Sequence, residues 1–280
     1  MTDAVVPPRI LFEGDGHKYA EDSVTGKRIP GVTSIGGLIS KDFLQRWSAN
    51  KASEYAVDHI DEIVRLLVDG KFVEAENRIG GAAYRETSAA AQLGTKVHKM
   101  YERLADGEEV GWVPEQMAPF LGNWEQFIAE YHPTFVDQEF SVWNPELGYF
   151  GTADWCAVID GQLVLGDTKA GNGVYDTVAL QLSAYRYAPY ILRTVDGETV
   201  VEDNREYEAT VVLHTRPEGW ALHPINTGPE VFSVFKALAT EVMPWHGWKG
   251  VRGLGKDAIN APVNQSPFKR PVKAPRHPSS

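Results

Sequence analysis

The sequence predicts an α/β chain, with a central mixed β-sheet flanked by helices and a helical N-terminal half. Three observations predict it. The dipeptide Asp160-Gly161 sits between two apolar runs, 153–159 and 162–165, which is the strongest short-range signal for a two-residue β-hairpin turn. Both alternating faces of that hairpin are apolar: Cys156, Val158, Leu163 and Leu165 on one, Trp155, Ala157, Ile159 and Val164 on the other. Such strands belong in the middle of a sheet, covered on both sides. Long stretches of helical periodicity lie before and after them, and a sheet layered by helices follows.

Taken in order, residues 1–37 read as extended pieces at 10–12, 18–19 and 28–29, separated by Gly-, Asp- and Pro-containing turns. Val32 to Ile35 leads toward a helix with Ser40 and Asp42 as caps. Apolar residues from Phe43 to Leu67 recur at helical spacing up to Gly70, as one long helix or two shorter ones. More helix is predicted over 71–105, broken at Gly80-Gly81 and stopped at Gly107. An amphipathic helix follows over 115–131, closed by His132-Pro133. Residues 135–142 alternate as a strand, and the hairpin comes next. A helix is then expected over 174–193, paired strands over 206–214 and 219–225, and a last helix over 231–242. From Gly247 the chain is rich in Gly, Pro, Lys and Arg, and that composition predicts a disordered tail. We therefore expect one domain over 1–246, with strands and helices in 1–133 and the main sheet with its helices in 134–246, then a basic tail over 247–280.

The 280 residues carry a net charge of −11, which argues against a generic polyanion binder. The balance is uneven. From Lys249 onward seven basic residues stand against Asp257 alone, a net of +6, which leaves −17 on the first 248 residues. The tail either adds sequence-independent affinity for a nucleic-acid backbone or serves as a solubilising terminus. The single cysteine, Cys156, excludes a disulfide within the chain and a cysteine-ligated iron–sulphur cluster. No apolar run has the length of a membrane span and no signal-peptide core is seen. A soluble, cytoplasmic protein with no membrane partner is expected.

The predicted turn sets Ile159 opposite Gln162 and Asp154 opposite Asp167. Directly opposed side chains have Cβ atoms roughly 4.5–5.5 Å apart. Lys169, two residues on, shares the face of Asp167. Opposed like charges are destabilising, so a cation is expected between them. The cluster suits a hard ion such as Mg2+ or Mn2+, or else a structural ion pair at the strand ends. Three other groups converge on it in sequence. His98 lies on a helix with Gly94 and Thr95 one turn before it and Glu102 one turn after. Glu139, on the strand before the hairpin, either reaches the cluster or faces solvent. Gln181 and Tyr185 are four apart on one helix face.

The order G-T-x-x-H (Gly94, Thr95, His98), G-x-x-D (Gly151, Asp154), D-x-K (Asp167, Thr168, Lys169) and Q-x-x-x-Y (Gln181, Tyr185) resembles the RecB-like branch of the PD-(D/E)XK nuclease superfamily. The segment VTSIGGLISKDFLQRW resembles actinobacteriophage exonucleases of that group more loosely. The resemblance spans roughly Val32 to Tyr185. It implies a restriction-endonuclease-like core and a divalent-metal-dependent DNA nuclease using Mg2+ or Mn2+. It further implies that His98, Asp154, Asp167 and the carbonyl of Thr168 hold the metal. Lys169, with Asp154 and Asp167 as the other catalytic residues, would position or help deprotonate the attacking water and stabilise charge on the phosphate. Gln181 and Tyr185 would line the DNA path, and Glu102 and Glu139 would support the ligands or a second metal. The acidic residue of D-x-K is Asp where Glu is commoner, and with one cysteine the iron–sulphur subgroup is excluded. The implied activity is an exonuclease in phage DNA recombination, replication or repair, in the host cytoplasm. Its implied partners are DNA and a phage single-strand annealing or recombination protein, and an oligomer is compatible. A structure-specific or single-strand endonuclease of the same fold, or a catalytically idle DNA-binding relative, are the alternatives.

Overall fold

The computed structural model describes residues 6–12, 18–39, 42–248 and 253–254. The Ser40 cap and nearly all of the basic tail lie outside the described residues. A small ribbon comes first, β1 (Arg9–Phe12) antiparallel to β2 (Lys18–Glu21). Five helices follow: α1 (Val32–Gly36), α2 (Asp42–Asp58), α3 (Ile60–Val68), α4 (Phe72–Gly80) and α5 (Ala82–Ala105). The long helical stretch before Gly70 is thus two helices, and the predicted break at Gly80-Gly81 separates α4 from α5. A 3-10 turn (Glu115–Met117) opens α6 (Ala118–Tyr131), which stops where His132 takes a left-handed backbone at φ 43° ahead of Pro133.

The hairpin is β4 (Tyr149–Ile159) and β5 (Gln162–Ala170), following β3 (Thr134–Asn144). Asp160 and Gly161 have φ of 51° and 79°, the positive pair that a type I′ turn needs. The ladder runs from Ile159↔Gln162 to Trp155↔Gly166, which is the predicted register. Continued by one residue, it sets Asp154 against Asp167.

The predicted helix over 174–193 is corrected. It is α7 (Thr177–Tyr187), and Pro189 cannot extend it because it lacks the N–H of a helical ladder. The chain instead enters β6 (Tyr190–Val195) and β7 (Glu198–Asp203). These turn at Asp196-Gly197, with φ of 52° and 84°, a second Asp-Gly hairpin. β8 (Ala209–Arg216) and β9 (Gly219–Pro224) follow. The last helix is α8 (Pro229–Ala237), which passes through a π-helical turn (Leu238–Val242) into α9 (Met243–His246).

Seven strands form one sheet in the order β7-β6-β3-β4-β5-β8-β9, with β5 and β8 its parallel pair. One face packs against α1, α7 and α8 through Ile35, Tyr149, Leu165, Leu182 and Phe235. The other packs against α5 and α6 through Val97, Phe127, Trp155 and Leu213. β4 and β5 are therefore covered on both sides, as their two apolar faces demand. Alternation reverses once along β4. Ala153 and Cys156 face the first layer, while Trp155 and Ala157 face the second. Strict alternation would put residues 153 and 155 on one face. The reversal falls at Asp154.

Gly166 lies directly across from Trp155. A Cβ there would stand 2.1 Å from the indole, so the bare backbone is what lets the ring lie flat on β5. Gly166→Ala is expected to lower stability by about 1–3 kcal/mol through overpacking, measured by urea denaturation. Unchanged stability would show that the indole is free to leave.

Candidate metal centre

Four elements meet at the end of the β4–β5 hairpin. β4 brings Asp154 and β5 brings Asp167, Thr168 and Lys169. α5 brings His98 and Glu102, and β3 brings Glu139. α7 stands behind with Gln181 and Tyr185.

Asp167 is completely buried. Its Oδ1 accepts hydrogen bonds from Lys169 Nζ at 2.8 Å and Gln181 Nε2 at 3.2 Å. The same ammonium stands 2.7 Å from Oδ2, which has no hydrogen bond among the described residues. Burial, and then the charge of Asp154, raise the Asp167 pKa, while Lys169 opposes the rise. For Lys169 burial pulls the pKa down, but Asp167 and Asp154 outweigh it and the net direction is up. The side chain is 35% exposed, so the ammonium is both anchored and accessible.

Asp154 is held from two sides. Its Oδ2 accepts the Thr168 N–H at 2.8 Å and lies 3.4 Å from His98 Nδ1. The N–H and C=O of one strand residue point toward the same neighbouring strand, so the Thr168 carbonyl is directed to the β4 side as well. The Thr168 hydroxyl accepts a hydrogen bond from Trp155 Nε1 at 3.2 Å, which ties the indole over Gly166 to the same residue.

Glu139 sits opposite Asp154, between the pairs Gln138↔Trp155 and Phe140↔Ala153. Its φ is 45°, a left-handed conformation that non-glycine residues rarely adopt. Lys18 donates to its backbone carbonyl. Burial first, and then the charge of Asp154, push the Glu139 carboxyl up to about 7; Lys18 acts in the other direction and Glu102 adds to the rise.

Among the described residues, His98, Glu139 and Asp154 form the one trio of possible metal ligands whose donor atoms all lie within 4.8 Å of one another. A cavity of about 20 Å³ opens between these three, Glu102, Trp155 and Thr168, room for about one water-sized particle. The predicted ligands His98 and Asp154 are thus together. Glu139, which the sequence leaves either at the cluster or facing solvent, completes the trio, and Asp167 beside it meets Lys169 and Gln181. Glu102 borders the cavity. Lys169 and Gln181 open onto a second cleft of about 230 Å³, with Thr33, Gly37 and Tyr175 on its walls.

Tyr185 is a correction. It was expected to line a DNA path, but it is 3% exposed and lies in the core under Gly151, where a Cβ would come within 2.6 Å of its ring. Its hydroxyl accepts a hydrogen bond from Gln181 at 3.0 Å. Gln181 reaches the cleft, and Tyr185 holds Gln181 from behind.

Two contacts carried no sequence signal. Lys18 arrives from the N-terminal ribbon, and His214 Nε2 donates to the carbonyl of Gly171 at 2.7 Å, pinning the chain just after Lys169. The proximity of Lys169 and His214 follows only from the parallel register of β5 and β8.

The raised Glu139 pKa has a sign that can be tested. The folded state holds this proton more tightly than the unfolded state does. The associated stability is fully present below about pH 4.5 and is lost as pH rises through about 7. Without added metal, Glu139→Gln is expected to be more stable than the unsubstituted protein at pH 8, by on the order of 2 kcal/mol, and to show no such advantage at pH 4. Urea denaturation at the two pH values checks it.

No protein-family model matches this chain, and no curated protein matches it in sequence. Among solved structures, the crystal structure of SSO0001 aligns with a TM-score of 0.30 at 13% identity, covering 71% of this chain and 82% of that one. A likeness at that level carries no argument, so the functional reading rests on the residues of the site.

Proposed function

We propose that this chain is a divalent-metal-dependent DNA nuclease of the RecB-like PD-(D/E)XK kind, acting as an exonuclease in phage DNA recombination, replication or repair. The observation that carries the reading is the convergence of His98, Glu139 and Asp154 within 4.8 Å next to an ammonium fixed on a buried carboxylate. The sequence resemblance supplies the substrate, DNA, and the partner it implies, a phage annealing or recombination protein.

The donor set fits a hard divalent ion. Two carboxylates and one imidazole suit Mn2+ or Mg2+ better than a thiolate-seeking metal, and the cavity between them has the size of a single small particle. The Glu139 carboxyl is raised by burial first and by the charge of Asp154 next, and a cation beside it would oppose both. His98, Glu139 and Asp154 would hold the ion, with the Thr168 carbonyl directed to the same side. When bound, such an ion lowers the pKa of a coordinated water and polarises the scissile phosphate.

The chain's own residues supply the rest. Lys169 keeps its proton, because Asp167 and Asp154 stabilise the ammonium. Its part is therefore a fixed positive charge beside the phosphate, where negative charge develops. Asp167 orients that ammonium, and Gln181 orients Asp167. The second cleft, with Lys169 and Gln181 on its wall, gives the flanking nucleotide a place to lie. Thr168 holds Asp154 through its backbone N–H, so the ligand keeps its direction before the ion arrives.

The test is digestion of end-labelled linear DNA and covalently closed circles with Mg2+ or Mn2+. Linear DNA is expected to shorten from its ends while circles survive, and 5′ against 3′ labels give the polarity. Cleaved circles would replace the exonuclease with an endonuclease of the same chemistry. Lys169→Ala is expected to reduce turnover about 10²- to 10³-fold. Full activity in that variant would remove Lys169 from the mechanism. Asp154→Ala and Glu139→Ala are each expected to weaken Mn2+ binding measured by calorimetry, and undiminished binding in both would place the ion elsewhere.

A further inference from the structure

α5 presents a second face that the metal centre does not use. At 100° per residue, Lys96, Lys99 and Arg103 fall within about 60° of one another, about a third of a turn round from His98 and Glu102. They border a cleft of about 250 Å³ whose opposite wall is the loop from Val110 to Pro114, with Met100 and Met117 on its floor. Trp112 stands at the rim of that cleft and is 87% exposed, an unusual position for the largest aromatic side chain. Among the described residues, neither Lys96 nor Lys99 has a carboxylate within ion-pairing distance. Arg103 is engaged by Glu108 at 2.7 Å and by the carbonyl of Glu109 at 3.2 Å, so it braces the loop that carries Trp112.

We infer that this cleft binds a single strand of DNA, with Trp112 stacking on a base and Lys96 and Lys99 contacting its phosphates. The chemistry is that of a sequence-tolerant strand grip: two cations at helical spacing track a backbone, and one exposed indole offers a flat face to any base. An apolar partner would not call for the lysines, and a simple anion would not call for the indole. Because His98 projects from the next face of the same helix, a strand held here is delivered on the helix that carries a proposed metal ligand. On a chain whose body is strongly acidic, a local basic and aromatic cleft resolves how a polyanion is admitted. The choice of DNA rests on the nuclease reading, while the cleft's capacity to hold a strand rests on its own residues.

The test is fluorescence polarisation of a fluorescein-labelled dT12 oligonucleotide on the full chain in EDTA, where nothing is cut. Trp112→Ala is expected to weaken binding roughly 5- to 100-fold, and Trp112→Phe, which keeps a stacking face, to retain most of it. Because Trp112 is exposed, neither change should disturb folding, and circular dichroism verifies that. Replacing Lys96 and Lys99 by Gln should flatten the dependence of log affinity on log salt by about 1.4, roughly 0.7 for each lost phosphate contact. An abasic oligomer of equal length should bind more weakly than dT12 and be indifferent to Trp112→Ala. Unchanged affinity in Trp112→Ala, an unchanged salt slope in the lysine variant, or tighter binding of rU12 than of dT12 would each overturn the inference. Hydrolysis of bis(p-nitrophenyl) phosphate by the unsubstituted protein with Mn2+ reports the metal centre alone. Its absence would count against the nuclease while leaving the polarisation result to decide the cleft.

Discussion

The contact between Asp167 and Lys169 is the constraint on which the rest of the site depends. A carboxylate wholly removed from water is strongly unfavourable unless an opposite charge and hydrogen bonds meet it. Here an ammonium reaches both oxygens and Gln181 adds a hydrogen bond to one of them. Removing either partner would leave the other uncompensated at the centre of a sheet covered on both faces. The consequences run outward from that pair. Gln181 must stay in place, so its helix must dock closely. Tyr185 secures Gln181, and Gly151 is bare because the Tyr185 ring occupies the space a side chain would need.

The electrostatics of the end of the hairpin are unbalanced in the isolated chain. Asp154, Asp167, Glu139 and Glu102 converge, and Lys169 and Lys18 are the cations that answer them. Proteins tolerate such surplus where it is used, at some loss of stability. Glu139 and Asp154 adjoin the small cavity, where a cation would offset their charge, while Asp167 meets the Lys169 ammonium and Gln181.

Much of the fold was legible because its signals were local. Asp160-Gly161 fixed a turn, the turn fixed a register, and the register set Asp154 opposite Asp167 without any long-range information. The same dipeptide at Asp196-Gly197 is masked in sequence, because the apolar spacing of Leu180, Leu182, Ala184 and Ala188 runs on to Ile191 and reads as helix through Pro189. A proline outweighs that periodicity, because it cannot donate to the helical ladder. His98 and Lys169 were marked by motif order. Glu139 was legible only as a residue that reaches the cluster or faces solvent, since alternation cannot say where a side chain points once a residue leaves the extended region. The burial of Tyr185 was equally hidden. A tyrosine four residues from a glutamine looks the same in sequence whether the helix face meets a ligand or the core.

The left-handed backbone at Glu139 ties the cost of an unusual conformation to a candidate ligand. Glycine and asparagine are the residues that such a conformation favours, and glutamate there sacrifices some local stability. In that conformation glutamate places its carboxylate beside Asp154 at the expense of local backbone stability. Glycine at this position would relax the backbone and remove a candidate ligand in the same step.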